Sequence, residues 1–209
     1  RLYRSVMAQG DFSCAVDLAR LLRTGGNGVT KADVPAAVQV LRRGMRAGNA
    51  ACEYELSRMC KSQQIPTGAL LTLTEGIAAE MRPRSDTEHY LHFMISSASK
   101  GVADAQFALG RHIRSHRTLP PMFASAMQEQ QLTFNYWYEA AASQGHVKAQ
   151  LELAGLYEHF ANQEQLLRCP SMELQVDMQE KSLLWYKRLT EMELDESHGK
   201  EARTAVAAA

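Results

Sequence analysis

Residues 136–145 read Tyr-Trp-Tyr-Glu-Ala-Ala-Ala-Ser-Gln-Gly, and residues 146–157 continue as His-Val-Lys-Ala-Gln-Leu-Glu-Leu-Ala-Gly-Leu-Tyr. This stretch predicts the end of one amphipathic helix, a turn at a glycine, and the start of a second helix. The arrangement recurs along the 209-residue chain, and its turn glycines are Gly10, Gly48, Gly101 and Gly145. The chain is therefore predicted to consist of repeated helical hairpins.

The repeats share a register that can be counted from the turn glycine. Four residues after it stands a small residue: Cys14, Cys52, Ala105 or Ala149. Eight residues after it stands a leucine: Leu18, Leu56, Leu109 or Leu153. Eight and seven residues before it stands an apolar pair, and a fifth pair opens a last copy: Leu2-Tyr3, Val40-Leu41, Phe93-Met94, Trp137-Tyr138 and Trp185-Tyr186. Short side chains allow helices to approach closely while the large ones fill the space beside them.

The pattern Ala-Ala-x-x-Gly-(three residues)-Ala-Gln-x-x-Leu-(Gly/Ala), carried best by residues 98–110 and 141–154, resembles the Sel-1-like repeat, a relative of the tetratricopeptide repeat. Residues 26–33 (Gly-Asn-Gly-Val-Thr-Lys-Ala-Asp) resemble the inter-repeat loop of that family. The resemblance implies an α/α solenoid that serves as a protein-interaction scaffold or adaptor, without a catalytic residue. Long inserts at about 62–84 and 162–176, and Gly44 inside a predicted helix, depart from the family pattern.

We therefore predict an all-α fold, a right-handed α/α solenoid of about five helix-turn-helix repeats with one extra helical insert. A single domain over residues 1–209 would contain repeats at about 1–25, 33–62, 85–116, 124–161 and 177–208, and an insert at 63–84. Asp33 is predicted to cap one helix, and Ser85 and Glu88 to form a capping box. An insert helix over 69–81 would either carry contacts specific to this protein or extend the stack.

Composition bounds the function only loosely. Lys and Arg balance Asp and Glu at 23 each, so the chain has no overall attraction for nucleic acid or for an anionic membrane. Residues 1–61 are basic and residues 173–201 are acidic. This asymmetry would either steer partners or stack copies of the chain head to tail, or it would simply reflect ordinary solvated surface. No run of about 18 apolar residues predicts a membrane span. Because the chain begins at Arg1, we expect a processed or partial product.

Four cysteines without paired spacing, and the absence of an Asn-x-Ser/Thr sequon, favour a reducing compartment. We expect an intracellular protein, cytoplasmic or organellar, for example mitochondrial. The cysteines at small-residue positions are predicted to pack as small hydrophobes.

Two histidine pairs suggest a metal site at first sight. His89 and His92 lie three residues apart, and His112 and His116 four apart, so each pair shares a helix face. Zinc takes three or four protein ligands, and no further ligand is placed to complete either pair. We therefore predict surface histidines, with no metal, no cofactor and no catalytic residue.

The aromatic residues of the first helices are predicted to be mainly core, and their neighbours to line the concave face that meets a partner. The candidate partner-binding residues are Arg4, Arg42, Arg43, Arg46, His92, Tyr136 and Glu139. The four arginines would make the amino-terminal half of this face basic, which suits an acidic peptide or a phosphate-bearing partner. A nucleic acid suits it less, because no recognised binding motif occurs.

The sequence therefore favours a non-catalytic protein-protein interaction scaffold or adaptor, a subunit or assembly factor of a larger multiprotein complex. Its partners would be one or more proteins, without membrane insertion and without a nucleic acid or small-molecule substrate. The alternative is a regulatory or substrate-recruiting helical-repeat segment of a larger enzyme. An enzyme in its own right would have only the histidine pairs in its favour.

Overall fold

A computed structural model describes residues 12–25, 32–77, 82–116, 123, 133–162 and 172–191. These residues form α-helices joined by turns, and no β-strand occurs among them, which confirms the predicted all-α class. The chain divides into two compact units, residues 1–128 and residues 129–209. Each unit is built from helices of successive hairpins that pack against one another, as in a repeat fold.

The first unit contains six described helices. They are α1 (Ala15–Thr24), α2 (Val34–Arg46), α3 (Ala50–Lys61), α4 (Thr67–Leu73), α5 (Asp86–Ser99) and α6 (Ala103–His116). Helices α2 and α3 form one hairpin, and α5 and α6 form another. Helix α1 packs against α2 and α3, while α3 packs against α5 and so joins the two hairpins.

The second unit contains three described helices. They are α7 (Phe134–Ser143), α8 (Val147–Asn162) and α9 (Met172–Glu191). Helix α8 packs against both α7 and α9. The hairpin α7–α8 is the one that the opening stretch of sequence predicts.

Each described hairpin turns at its predicted glycine. Gly48, Gly101 and Gly145 have φ angles of 87°, 90° and 83°, in the left-handed region that glycine occupies without steric cost. The N–H of the next residue then bonds a carbonyl in the last turn of the first helix, as when Asn49 donates to Gly44 over 2.9 Å. The predicted turn at Gly10 lies outside the described residues.

The repeating leucines form the core, as their register predicts. Leu18, Leu56, Leu109 and Leu153 are 8%, 0%, 0% and 1% exposed. The apolar pairs Phe93-Met94, Trp137-Tyr138 and Trp185-Tyr186 are also buried. Of the small residues before the leucines, Cys52, Ala105 and Ala149 are fully buried and Cys14 is half-buried.

The predicted helix caps form, with one difference. Asp33 accepts a hydrogen bond from the Ala36 N–H over 2.9 Å, and Ser85 accepts one from the Glu88 N–H over 3.2 Å. The Glu88 carboxylate, however, accepts from the N–H of Arg84 over 2.7 Å. In a capping box the Glu88 carboxylate would accept from the N–H of Ser85, the N-cap residue. Here it accepts from the residue before the N-cap.

The insert contains a shorter helix than the sequence suggests. Helix α4 begins at Thr67 and ends at Leu73, whereas the apolar pattern predicts residues 69–81. It ends early because Thr74 to Gly76 form a turn and Gly76 takes a φ of 94°. Leu70 and Leu73 are buried, so α4 adds to the core of the first unit. Residues 78–81 of the predicted insert helix, and residues 124–132 at the start of the repeat predicted at 124–161, lie outside the described part of the chain.

Gly44, the departure noted inside α2, marks a close contact between three helices. A Cβ built at Gly44 would lie 2.5 Å from Sγ of Cys52 on α3 and 3.1 Å from Cβ of Ala15 on α1. Real Cβ atoms do not approach a sulfur so closely, so glycine is the residue that lets α1, α2 and α3 meet here. The glycine at position 44, which departs from the family pattern, is therefore required by the packing of these helices.

We expect Gly44→Ala to destabilise the protein by about 1–3 kcal/mol, because overpacking outweighs the gain in helix propensity. Gly155→Ala is the matched control, since Gly155 lies in α8 with nothing within 4 Å of its Cβ position. That variant should be stabilised by about 0.5–1 kcal/mol. Urea unfolding followed by circular dichroism measures both changes.

The double variant Gly44→Ala/Cys52→Ala tests the cause. This variant lacks the sulfur that the new methyl group meets. Its loss in free energy of unfolding should therefore be smaller than the sum of the losses in the two single variants. Equal stability of Gly44→Ala and the parent protein would contradict the contact.

Candidate partner-binding surfaces

The described arginines among the candidates lie on helix α2. Arg42, Arg43 and Arg46, called here the α2 basic face, follow one another on the carboxyl half of a helix whose sequence contains no acidic residue. Arg43 and Arg46 are exposed, and neither forms an ion pair with another residue that the structure describes. Arg42 is half-buried and its Nη2 lies 2.8 Å from Oε2 of Glu75. Arg4 lies outside the described residues.

His92 lies on helix α5 of the first unit. Its side chain is half-buried and its ring meets the Phe93 ring edge-on at 5.5 Å. Burial lowers the pKa of His92, and the nearby Glu53 carboxylate opposes that shift only in part. The imidazole is therefore neutral at physiological pH and adds no charge to a partner-binding face.

Glu53 is a buried ionisable residue that sequence reasoning missed. It is 5% exposed, and its carboxylate accepts hydrogen bonds from Ser96 Oγ (2.9 Å) and Lys100 Nζ (2.6 Å), which ties α3 to α5. The later hairpins carry Gln106 and Gln150 at the same register. The sequence did contain a signal for Glu53, since an acidic residue stands there where the later hairpins have glutamine.

Tyr136 and Glu139 lie on helix α7 of the second unit and behave differently from each other. Tyr136 is 40% exposed, and its ring packs edge-on against Trp137 at 5.1 Å. Glu139 is exposed but accepts a 2.6 Å hydrogen bond from the Tyr157 hydroxyl on α8. Burial and this bond raise the pKa of Tyr157. Glu139 thus helps to hold the hairpin, while part of the Tyr136 ring is exposed to solvent.

The two histidine pairs do not come together as a metal centre. His89 is buried, with Nδ1 2.9 Å from the carbonyl oxygen of Ser85, while His112 and His116 stack on each other at 4.2 Å. Within the described ranges, no group of three or more His, Cys, Asp or Glu side chains could hold a metal ion. His112 and His116, the pair on α6, instead line a cleft between helices.

A cleft forms where the carboxyl ends of α3 and α6 meet the amino end of α5. We call it the basic cleft and define it by Lys61, Tyr90, Arg111, His112 and His116. Lys61 Nζ lies 5.4 Å from the Tyr90 ring centroid, and that ring meets His112 edge-on at 5.8 Å. The cleft has a volume of about 130 Å³ and adjoins a second space of about 230 Å³, which Cys60 and Asp86 also line. From sequence, the histidines of this cleft were singled out as possible metal ligands and Tyr90 as one of the mainly core aromatic residues, whereas Lys61 and Arg111 were missed.

The buried thiols of the first unit are poor nucleophiles. Burial raises the pKa of Cys52 and of Cys60 to about 12, with nearby carboxylates adding to the effect. Both side chains are therefore protonated at neutral pH, and a protonated thiol does not attack an electrophile. Their packing role is the one that their register predicts.

Among solved structures, the chain resembles a Sel1 repeat protein from Oxalobacter formigenes, with 23% identity, a TM-score of 0.54 and coverage of 86% of this chain and 61% of that one. The chain has the Sel1-like repeat fold. A protective antigen of uropathogenic Escherichia coli strains that displays an SLR fold is 18% identical, over 99% of this chain and 44% of that one, with a TM-score of 0.44. This Sel1-like chain therefore spans less than two thirds of either protein. No protein-family model and no curated protein matches it.

None of the described helices of this Sel1-like fold combines the length and the apolar character that crossing a membrane demands.

We expect His112 to make stability depend on pH between about 6.5 and 4. Burial, His116 and Lys61 lower its pKa to about 4, while an unfolded histidine titrates near its usual value of about 6.5. As pH falls through this window the unfolded chain gains a proton that the folded chain does not, so the free energy of unfolding falls. Above the window both forms are neutral and His112 contributes nothing.

The measurement is a pH titration of the His112 ring resonances by NMR, together with urea unfolding at several pH values. His112→Gln should flatten the loss of stability between pH 6.5 and 4 and leave the pH dependence above 7 unchanged. A ring that titrates near 6.5 in the folded protein would refute the expectation.

Proposed function

We propose that this protein is a non-catalytic protein-interaction scaffold that docks an acidic segment of a partner protein on the α2 basic face. In this role it would serve as a subunit or assembly factor of a larger multiprotein complex. The observation that carries the proposal is the exposure of Arg43 and Arg46 on a helix without acidic residues, neither of them paired with another described residue.

The chemistry of the face suits carboxylates. A guanidinium offers a planar set of donors that matches a carboxylate with two parallel hydrogen bonds. The Arg42 guanidinium already donates to the Glu75 carboxylate over 2.8 Å, and this bond fixes its side chain at the edge of the α2 basic face. Arg43 and Arg46 therefore remain to contact a partner. Exposed positive charge also speeds encounter with an acidic partner, at a rate that falls with salt.

The fold supports a scaffold role in a second way. Helices that stack through their cores leave long outer surfaces for binding, without needing a pocket. The buried cysteines, whose pKa values are raised to about 12, are held as packing residues and not as nucleophiles.

The test uses a synthetic Asp/Glu-rich peptide as probe, with binding measured by fluorescence anisotropy. Arg43→Gln/Arg46→Gln should weaken binding about three- to tenfold, as expected for two exposed charge contacts. The loss should shrink at high salt, because screening weakens contacts between exposed charges.

Lys187→Gln/Arg188→Gln on α9 is the matched control. It removes the same charge from exposed positions of the second unit and should leave binding unchanged. The same pair of variants then tests the native partner: a protein that copurifies with the parent and the control, but not with Arg43→Gln/Arg46→Gln, docks on this face. Equal loss in both variants would refute the proposed location.

A further inference from the structure

The basic cleft is lined by residues other than those that the scaffold proposal uses. Its side chains come from three helices: Lys61 is the last residue of α3, Tyr90 belongs to α5, and Arg111, His112 and His116 belong to the last turns of α6. Packing of α3 on α5, and of α5 on α6, brings them together. The cleft thus exists only in the folded first unit.

The charge of the cleft is one-sided. The cleft, of about 130 Å³, is lined by two permanent cations, Lys61 and Arg111, and by two imidazoles, and none of its described lining residues is acidic. Asp86 lines the adjoining larger space, which it shares with Lys61, Tyr90 and both histidines. Four nitrogen-bearing side chains around one small opening form an environment for an anion.

The aromatic residues hold these groups in place. Tyr90 is 9% exposed and forms the floor, with Lys61 above its ring and His112 against its edge. His112 and His116 stack nearly parallel, at an interplanar angle of 19°. The donors are therefore partly ordered before a ligand arrives, which lowers the entropy that binding must offset.

We propose that the basic cleft binds a phosphate group. A phosphate carries up to two negative charges and three or more acceptor oxygens, so it can use an ammonium, a guanidinium and imidazole N–H groups together. A single carboxylate has two oxygens and is satisfied by one arginine. The phosphate belongs either to a small molecule or to a phosphorylated side chain of a protein partner.

Protonation of His112 should accompany binding. His112 is neutral when the cleft is empty because burial, His116 and Lys61 disfavour its charged form, and the acidic residue among those that line the adjoining space is Asp86. A bound dianion reverses that balance, so the pKa of His112 should rise when the cleft is filled. Sulfate keeps both charges between pH 5 and 8, and it should therefore bind more tightly as pH falls from 8 to 6.

The experiment is a titration with inorganic phosphate at pH 6.5 and constant ionic strength, followed by the histidine ring resonances in NMR. His112 and His116 should shift and saturate, with a dissociation constant on the order of 1 mM. The ring of His159, on α8 of the second unit, should not shift. Shifts that rise linearly without saturation, or that sodium chloride reproduces, would overturn the proposal.

Two double variants locate the effect. Lys61→Gln/Arg111→Gln removes two exposed side chains of the cleft and should weaken phosphate binding at least about tenfold, as expected for charged hydrogen bonds. Circular dichroism checks that this variant is folded. Arg43→Gln/Arg46→Gln should leave phosphate binding unchanged. Phosphate binding therefore tests the basic cleft alone, and binding of the acidic peptide tests the scaffold proposal alone. Unchanged binding in Lys61→Gln/Arg111→Gln would place phosphate elsewhere.

A phosphoserine peptide and its unphosphorylated form distinguish the two sources. Tighter binding of the phosphopeptide than of inorganic phosphate would support a phosphorylated protein partner. Equal affinity would support a small phosphorylated molecule. Binding of neither probe would refute the site.

Discussion

The close approach of helices through short side chains is the constraint on which the structure depends. Gly44 on α2 meets Cys52 on α3 and Ala15 on α1, so no methyl group fits between them. Ala105 and Ala149 occupy the place of Cys52 in later hairpins and are fully buried. Because the backbones lie so close, the leucines and aromatic residues on either side can fill the remaining core without cavities.

Buried polar groups then fix the helices in one register. Gln106 and Gln150 each donate to a carbonyl near the end of the preceding helix, that of Ala98 over 3.2 Å and that of Ala142 over 3.0 Å. Glu53 holds the equivalent place in an earlier hairpin and instead bonds forward to Ser96 and Lys100 on α5. The same position thus joins a hairpin to itself in two copies and to the next hairpin in a third. A slipped register would leave these groups buried without partners, which is costly.

The two surfaces of the first unit differ in physical character, and so should their ligands. The α2 basic face is open, and its exposed guanidinium groups are suited to a flexible acidic segment with many weak contacts. The basic cleft is small and lined by aromatic rings, with donors from α3, α5 and α6 partly ordered in advance. Such a cleft favours one compact anion over an extended chain. A scaffold with both could hold a partner on one surface and respond to phosphate at the other.

The sequence by itself determined the hairpins, because periodicity, turn glycines and caps act over a few residues. The buried leucines Leu56 and Leu109, the turn at Gly145 and the cap at Asp33 follow from such local rules. The exposed arginines of α2 could also be placed on one helix. The role of Gly44 could not be seen, because its reason lies in residues of two other helices.

Only the tertiary structure decided which distant side chains meet. It buried His89, brought the Glu53 charge to bear on His92, and joined His112 to Lys61 and Tyr90. Spacing within one helix predicts which residues share a face, but it does not say what the neighbouring helix brings to that face. That depends on packing between residues far apart in the chain, and on the desolvation which then shifts their pKa values.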